Sequence, residues 1–150
     1  TAESPHRVAA VGIVRACQKN GNGTSNLLLQ GLCRVEIVRI VRETPYRTIQ
    51  IRALASEPGA PAEANTALRR ELSQLLQVKL KLAGTPKPEL ASFLEGVDDP
   101  EAFVDIAAFN LCEDPTCKQR LLETLDLHRR LTLFSSAGTK PKGRTAMCCI

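Results

Sequence analysis

Hydrophobic and polar positions change their period once along the chain. The run from Arg7 to Cys17 is rich in Val, Ala and Ile and stops at Lys19-Asn20-Gly21-Asn22-Gly23. Asn-Gly between apolar runs signals a hairpin, because both residues tolerate positive φ. A return strand is expected over Thr24 to Gln30, then a break at Gly31-Leu32, then a third run from Arg34 to Arg42. Strict alternation puts Val35, Ile37, Arg39 and Val41 on one face of that run, and Val38 and Ile40 on the other. The next strand, Arg47 to Leu54, alternates cleanly: Ile49, Ile51 and Ala53 on one side, Thr48, Gln50 and Arg52 on the other.

Ala55 to Ala62 reads as a linker or long loop, and after it the period becomes helical. Glu63 to Ala83 carries Leu68, Leu72, Leu75, Leu76 and Leu82 at helical spacing and ends at Gly84, a suitable C-cap. Thr85-Pro86-Lys87-Pro88 is a loop, and Glu89 to Leu94 a short helix. Asp98-Asp99-Pro100 starts a helix by placing an acidic cap before Pro at the first helical position. That helix runs to about Leu111 and buries Phe103, Ile106 and Ala107. Asp114-Pro115 repeats the start signal, and one last helix carries Leu121, Leu122, Leu125, Leu131 and Phe134. Residues 135–150 are rich in Ser, Gly, Pro and Lys and read as a basic, fraying tail.

Strands followed by helices predict an α+β fold. Its parts are a β subdomain over 1–54, a linker over 55–62, a helical subdomain over 63–134 and the tail. The 150 residues suffice for one domain or two small ones, with 43% apolar and 24% charged residues. Aromatic residues make up only 3%, which disfavours the base-stacking platforms that hold single strands. The first residue is Thr, not Met, so a longer parent protein is conceivable.

The net charge of +4 is unevenly spread. Residues 1–54 hold 8 basic and 3 acidic groups; residues 55–134 hold 9 and 13. The two parts are therefore differently built. The six cysteines are irregularly spaced and no signal peptide precedes them, so a reducing cytoplasm is expected.

No catalytic constellation emerges. Gly138-Thr-Lys-Pro-Lys-Gly143-Arg144-Thr145 nearly matches a phosphate-binding loop, but Arg144 stands where Lys belongs, and the helix the motif needs after it is not expected in the five residues given beyond Thr145. Cys112-x4-Cys117 with Cys148-Cys149 would offer four thiolates to zinc, yet lacks the tight pairs of rigid zinc knuckles. His128, beside Arg129-Arg130, reads as a solvated or half-buried helix position. The acidic set Asp98, Asp99, Glu101 and Asp105 is explained by the dipole at a helix start. No catalytic, cofactor-binding or metal-ligating residue is assigned. The residues alone lead to a soluble α+β binding or interaction module.

Three stretches carry a resemblance. Asn26-Leu-Leu-Leu-Gln-Gly-Leu-Cys-Arg34 followed by Val35-Glu-Ile-Val-Arg-Ile-Val-Arg42, with Thr44-Pro45-Tyr46 next, resembles the amino-terminal (LON) domain of ATP-dependent Lon proteases. Asp99-Pro-Glu-Ala-Phe-Val-Asp-Ile-Ala-Ala108 and Lys118-Gln-Arg-Leu-Leu-Glu-Thr-Leu-Asp-Leu-His-Arg-Arg-Leu131 are similar to the family's helical signature. The likeness covers roughly residues 7–134 in unbroken order.

The resemblance implies a PUA-like β half (about 7–54) followed by a helical bundle half (about 63–134). It also implies a chain without catalysis of its own that recognises unfolded or damaged protein for ATP-dependent proteolysis. The family's protease and ATPase modules would be its partners, homo-oligomers are a further expectation, and no cofactor is implied; no apolar run approaches the length of a membrane span, so no membrane is expected. The family normally opens with strands carrying Leu-Pro-Leu and Phe-Pro-Gly type segments; the chain begins at what would be a later strand. That leaves an open sheet edge in either a fragment or a stand-alone LON-domain protein. The expected partner surface is Arg34, Arg39, Arg42, Tyr46, Arg47 and Arg52. The rival reading is a PUA-like module that binds RNA through this basic β half.

Overall fold

A computed structural model describes residues 4–82 and 88–138. The chain divides into two compact units between Ser56 and Glu57.

The first unit is an antiparallel meander of order β1-β2-β3, with β1 at Val8–Lys19, β2 at Ser25–Arg42 and β3 at Thr48–Leu54. The hairpin forms at the expected Asn-Gly segment, closed by Asn20 N–H donating to Thr24 O at 2.8 Å and Gly23 N–H to Asn20 O at 3.2 Å. Only Gly23 takes positive φ there, at 83°. The Asn22 carboxamide accepts from the Thr24 N–H and hydroxyl, locking the turn through a local side-chain bond.

Gly31-Leu32 does not break the strand. It is absorbed as a bulge, where Val11 pairs with Cys33 but Gly12 with Gly31. Gly12 is required here, because a Cβ would lie 2.5 Å from the Gln30 carbonyl oxygen. Further bulges fall at Arg15, Val38 and Val41.

The second unit has five helices: α1 Ala62–Leu82, α2 Pro88–Glu95, α3 Pro100–Leu111, α4 Pro115–Glu123 and α5 Leu127–Gly138. Asp99 caps α3 by accepting from the Glu101 and Ala102 amides, and Asp114 caps α4 by accepting from the Thr116 and Cys117 amides. Each cap is worth about 1 kcal/mol. The core joins Leu72, Leu76, Leu94, Phe103, Val104, Ala107, Leu121, Leu131 and Phe134. Leu75, expected inward, is 43% exposed, and Ile106 is only half-buried.

The single last helix expected from the sequence is two. Thr124 ends α4, and Asp126 restarts the chain by accepting from the Arg129 amide at 2.8 Å. Between them, the carbonyls of Thr124 and Leu125 accept from the buried Arg130 guanidinium, whose Nη1 also meets Glu101 and Asp105. This corner needs the start of the expected linker. Glu57 N–H donates to Leu125 O, Leu127 N–H donates to Glu57 O, and Gly59 (φ 67°) leaves room for the Asp126 carboxylate. The acidic set at the α3 start is thus more than dipole complement: Asp98 pairs with buried Arg69, while Glu101 and Asp105 hold Arg130.

No helix among the described residues is long and apolar enough to cross a membrane. The Gly84 cap, Thr85 to Lys87, the phosphate-loop near-match beyond Gly138, the tail beyond that residue and Cys148-Cys149 lie outside the described residues.

Candidate functional site

The bulges decide which side chains share a face of the sheet. In a regular strand Arg39 and Ile37 would share one. Ile37 instead pairs with Ile51 and Arg39 with Gln50, so Val38 is an extra residue that reverses the alternation. A second reversal at Val41 pairs Ile40 with Ile49 and Arg42 with Thr48. Arg34, Glu36, Arg39 and Arg42 therefore line one face with Thr48, Gln50 and Arg52. Val35, Ile37 and Ile40 line the other with Ile49, Ile51 and Ala53. The expected grouping of Arg39 with Val35 and Ile37 is thereby corrected, as is that of Ile40 with Val38.

The polar face is knitted across strands. Glu36 is buried between Arg7 and Arg52, and both guanidiniums pair with its carboxylate. The Arg7 hydrogen bond, with the Arg52 bond and the charges of both guanidiniums, holds the Glu36 carboxyl below the usual range against the opposing effect of burial. Arg39 Nε donates to Gln50 Oε1 at 2.8 Å. Arg42 stacks its guanidinium 4.9 Å from the Tyr46 ring centroid, and Tyr46 is exposed. Arg47 Nε donates to Glu43 Oε2 at 3.1 Å, after the cis Thr44–Pro45 peptide. Arg34 is half-buried within β2. The register thus puts Arg34, Arg39, Arg42 and Arg52 on one face, while Tyr46 and Arg47 sit in the β2–β3 connection.

The hairpin end of the sheet differs. Leu27 pairs with Cys17, Leu28 with Ala16 and Leu29 with Val14, and the three leucines are 54–63% exposed. Leu32, Ile13 and Val14 are exposed beside them. Three consecutive leucines in a strand cannot all face one side, so both faces are apolar here. The sequence names these residues plainly, but their apolar character points to a core. Only the sheet shows them open to solvent. Strands β1 and β3 are the edges among the described residues.

No group of three or more His, Cys, Asp or Glu among the described residues has metal-site geometry. His128 is half-buried and its Nδ1 lies 2.9 Å from Asn65 Oδ1, whose amide nitrogen donates to Pro58 O. The ring therefore donates to Asn65 and serves the α1–α5 packing.

The model of the ATP-dependent protease La (LON) substrate-binding domain matches residues 1–136. The chain belongs to the LON substrate-binding domain family. It is 33% identical over 135 residues to a Lon protease of Phenylobacterium zucineum, covering 89% of the chain and 17% of that relative. It is 28% identical over 134 residues to one of Heliobacterium modesticaldum, covering 89% and 16%. A LON domain therefore makes up the chain, which spans about a sixth of these relatives' length. Among solved structures, the N-terminal domain of the Mycobacterium avium complex Lon protease superposes with a TM-score of 0.76 at 18% identity. That match covers 93% of the chain and 73% of that domain, and it shows the shared α+β fold of a small sheet with helices.

Proposed function

We propose that this LON domain recognises unfolded or damaged protein segments and does so for an ATP-dependent protease of the Lon type. One observation carries the reading: exposed aliphatic side chains, Leu27 to Leu29 with Leu32, Ile13 and Val14, spread over both faces of the hairpin end of a hydrogen-bonded sheet. Contiguous exposed apolar surface on a folded unit marks a place for apolar partners. An edge strand adds backbone donors and acceptors that an extended segment can pair with. Folded proteins hide both complements, so the surface favours unfolded chains.

The chain itself carries out no catalysis in this reading. Cutting and ATP hydrolysis belong to the protease and ATPase modules of the family, which are its partners in the cytoplasm. The sheet unit is taken as PUA-like, and Arg34, Arg39, Arg42, Tyr46, Arg47 and Arg52, toward the β2–β3 end of the sheet, are taken as a polar part of the partner surface. RNA binding is the weaker reading. Glu36 pairs with both Arg7 and Arg52, and Glu43 pairs with Arg47, so three of the basic side chains are already engaged by carboxylates.

Immobilised chain should retain a reduced, permanently unfolded model protein and release its native form. Equal retention of both forms overturns the reading. Salt-sensitive retention of single-stranded RNA with no preference for unfolded protein would put the RNA reading in its place.

A further inference from the structure

The end of α3 and the start of α4 bring two thiols together. Cys112 is the C-cap of α3, with its N–H donating to Ala108 O at 3.1 Å. Cys117 lies in the first turn of α4, with its N–H donating to the Asp114 carboxylate. Their Sγ atoms are 4.0 Å apart, and both side chains are half-buried against the helical core. Lys118 Nζ donates to Phe109 O at 2.8 Å, which ties the first turn of α4 to the last turn of α3. The pair is therefore held by two capped helix ends.

We propose that Cys112 and Cys117 are a thiol–disulfide site, oxidised by a small-molecule disulfide to an internal bridge that clamps the α3–α4 corner.

The step balances as two exchanges. The Cys117 thiol loses its proton, its sulfur attacks one sulfur of the small disulfide, and the S–S bond of that molecule breaks. One small thiolate leaves and takes up a proton, and Cys117 is left in a mixed disulfide. The Cys112 thiol then loses its proton and its sulfur attacks the Cys117 sulfur, which expels the second small thiolate. Two protein thiols are oxidised and one small disulfide is reduced to two thiols. Closure brings the sulfurs from 4.0 Å to the bonded separation of about 2.05 Å.

Burial, and then the neighbouring Cys117, push the Cys112 thiol up to about 11. The exchange balances equally with the two sulfurs in the opposite order. Cys17 and Cys33 offer no second pair of this kind. Both are exposed, and the register sets Cys17 opposite Leu27 and Cys33 opposite Val11.

The full chain, incubated with oxidised glutathione and quenched in acid, tests the site by peptide mapping. The tryptic peptide ending at Lys118 holds both cysteines and should lose about two mass units, the two hydrogens of the dithiol. C112S should accumulate glutathione on Cys117. C117S should accumulate it on Cys112. In the wild-type chain the bridge should form at least about tenfold more readily under native conditions than in urea, so the result does not depend on the variants folding. A pair that stays fully alkylatable, takes up two glutathiones, or bridges equally well in urea overturns the proposal.

Discussion

The two units satisfy their apolar residues in opposite ways. In the helical unit Phe103, Val104, Ala107 and Leu131 are wholly buried; buried Arg130 finds carboxylate and carbonyl partners, and buried Arg69 pairs with Asp98 through Nη2. In the sheet unit only Val35 and Glu36 are buried among the described residues, while most large aliphatic side chains remain open to solvent. Similar hydrophobic content thus does two jobs. Helices spend it on a core, whereas the strands, held by backbone ladders and cross-strand polar pairs, leave it available. The lesson is that aliphatic density alone does not locate a core; the period and the bulges decide what is covered.

Substitutions should separate the units sharply. Phe103→Ala removes a fully buried ring and should cost about 3–5 kcal/mol. Leu28→Ala, at 63% exposed, should stay within about 0.5 kcal/mol. Chemical denaturation of both variants checks the contrast, and equal losses would break it. Arg130→Met orphans the Thr124 carbonyl, leaves the Leu125 carbonyl only its bond from the Glu57 N–H, and removes the guanidinium from Glu101 and Asp105. Unfolding should show a loss of about 3 kcal/mol, confined to the helical unit.

Smaller effects sharpen the account of the sheet. Gly12→Ala drives a methyl group into the Gln30 carbonyl and should cost about 1–3 kcal/mol, with hydrogen exchange rising along β1 rather than in the helices. Glu36 supplies the pH dependence. Its carboxyl ionises at lower pH in the folded chain than in the unfolded one. Its pairing with Arg7 and Arg52 is therefore fully stabilising above the unfolded value of about 4.3. That stability is lost as pH falls through the folded value. Thermal melts from neutral to acid pH should show the sheet weakening below about pH 4. Glu36→Gln should flatten that part of the profile.

Much of the fold is legible in the sequence. The Asn-Gly hairpin, the Asp-Pro starts of α3 and α4 and the change of period after Leu54 all act locally, so residue order reveals them. What it hides depends on partners distant in the chain. The Val38 and Val41 bulges exist because of how β3 pairs, and they move Arg39 onto the face of Arg34 and Arg52. The Thr124–Asp126 break requires Arg130 and Glu57, neither of which signals a helix end by itself. The proposed recognition surface is the least legible part. Leu27 to Leu29 look like core in any local reading, and their exposure among the described residues emerges only from the sheet.

The central claim is that these exposed sheet residues hold unfolded protein. Affinity of the chain for a fluorescently labelled, permanently unfolded polypeptide tests it most directly, with Leu28→Ser/Leu29→Ser compared against Arg39→Gln. The account predicts that the double variant keeps its melting temperature within a few degrees yet binds at least about tenfold more weakly, whereas Arg39→Gln changes affinity little. Undiminished binding by a folded double variant would contradict it.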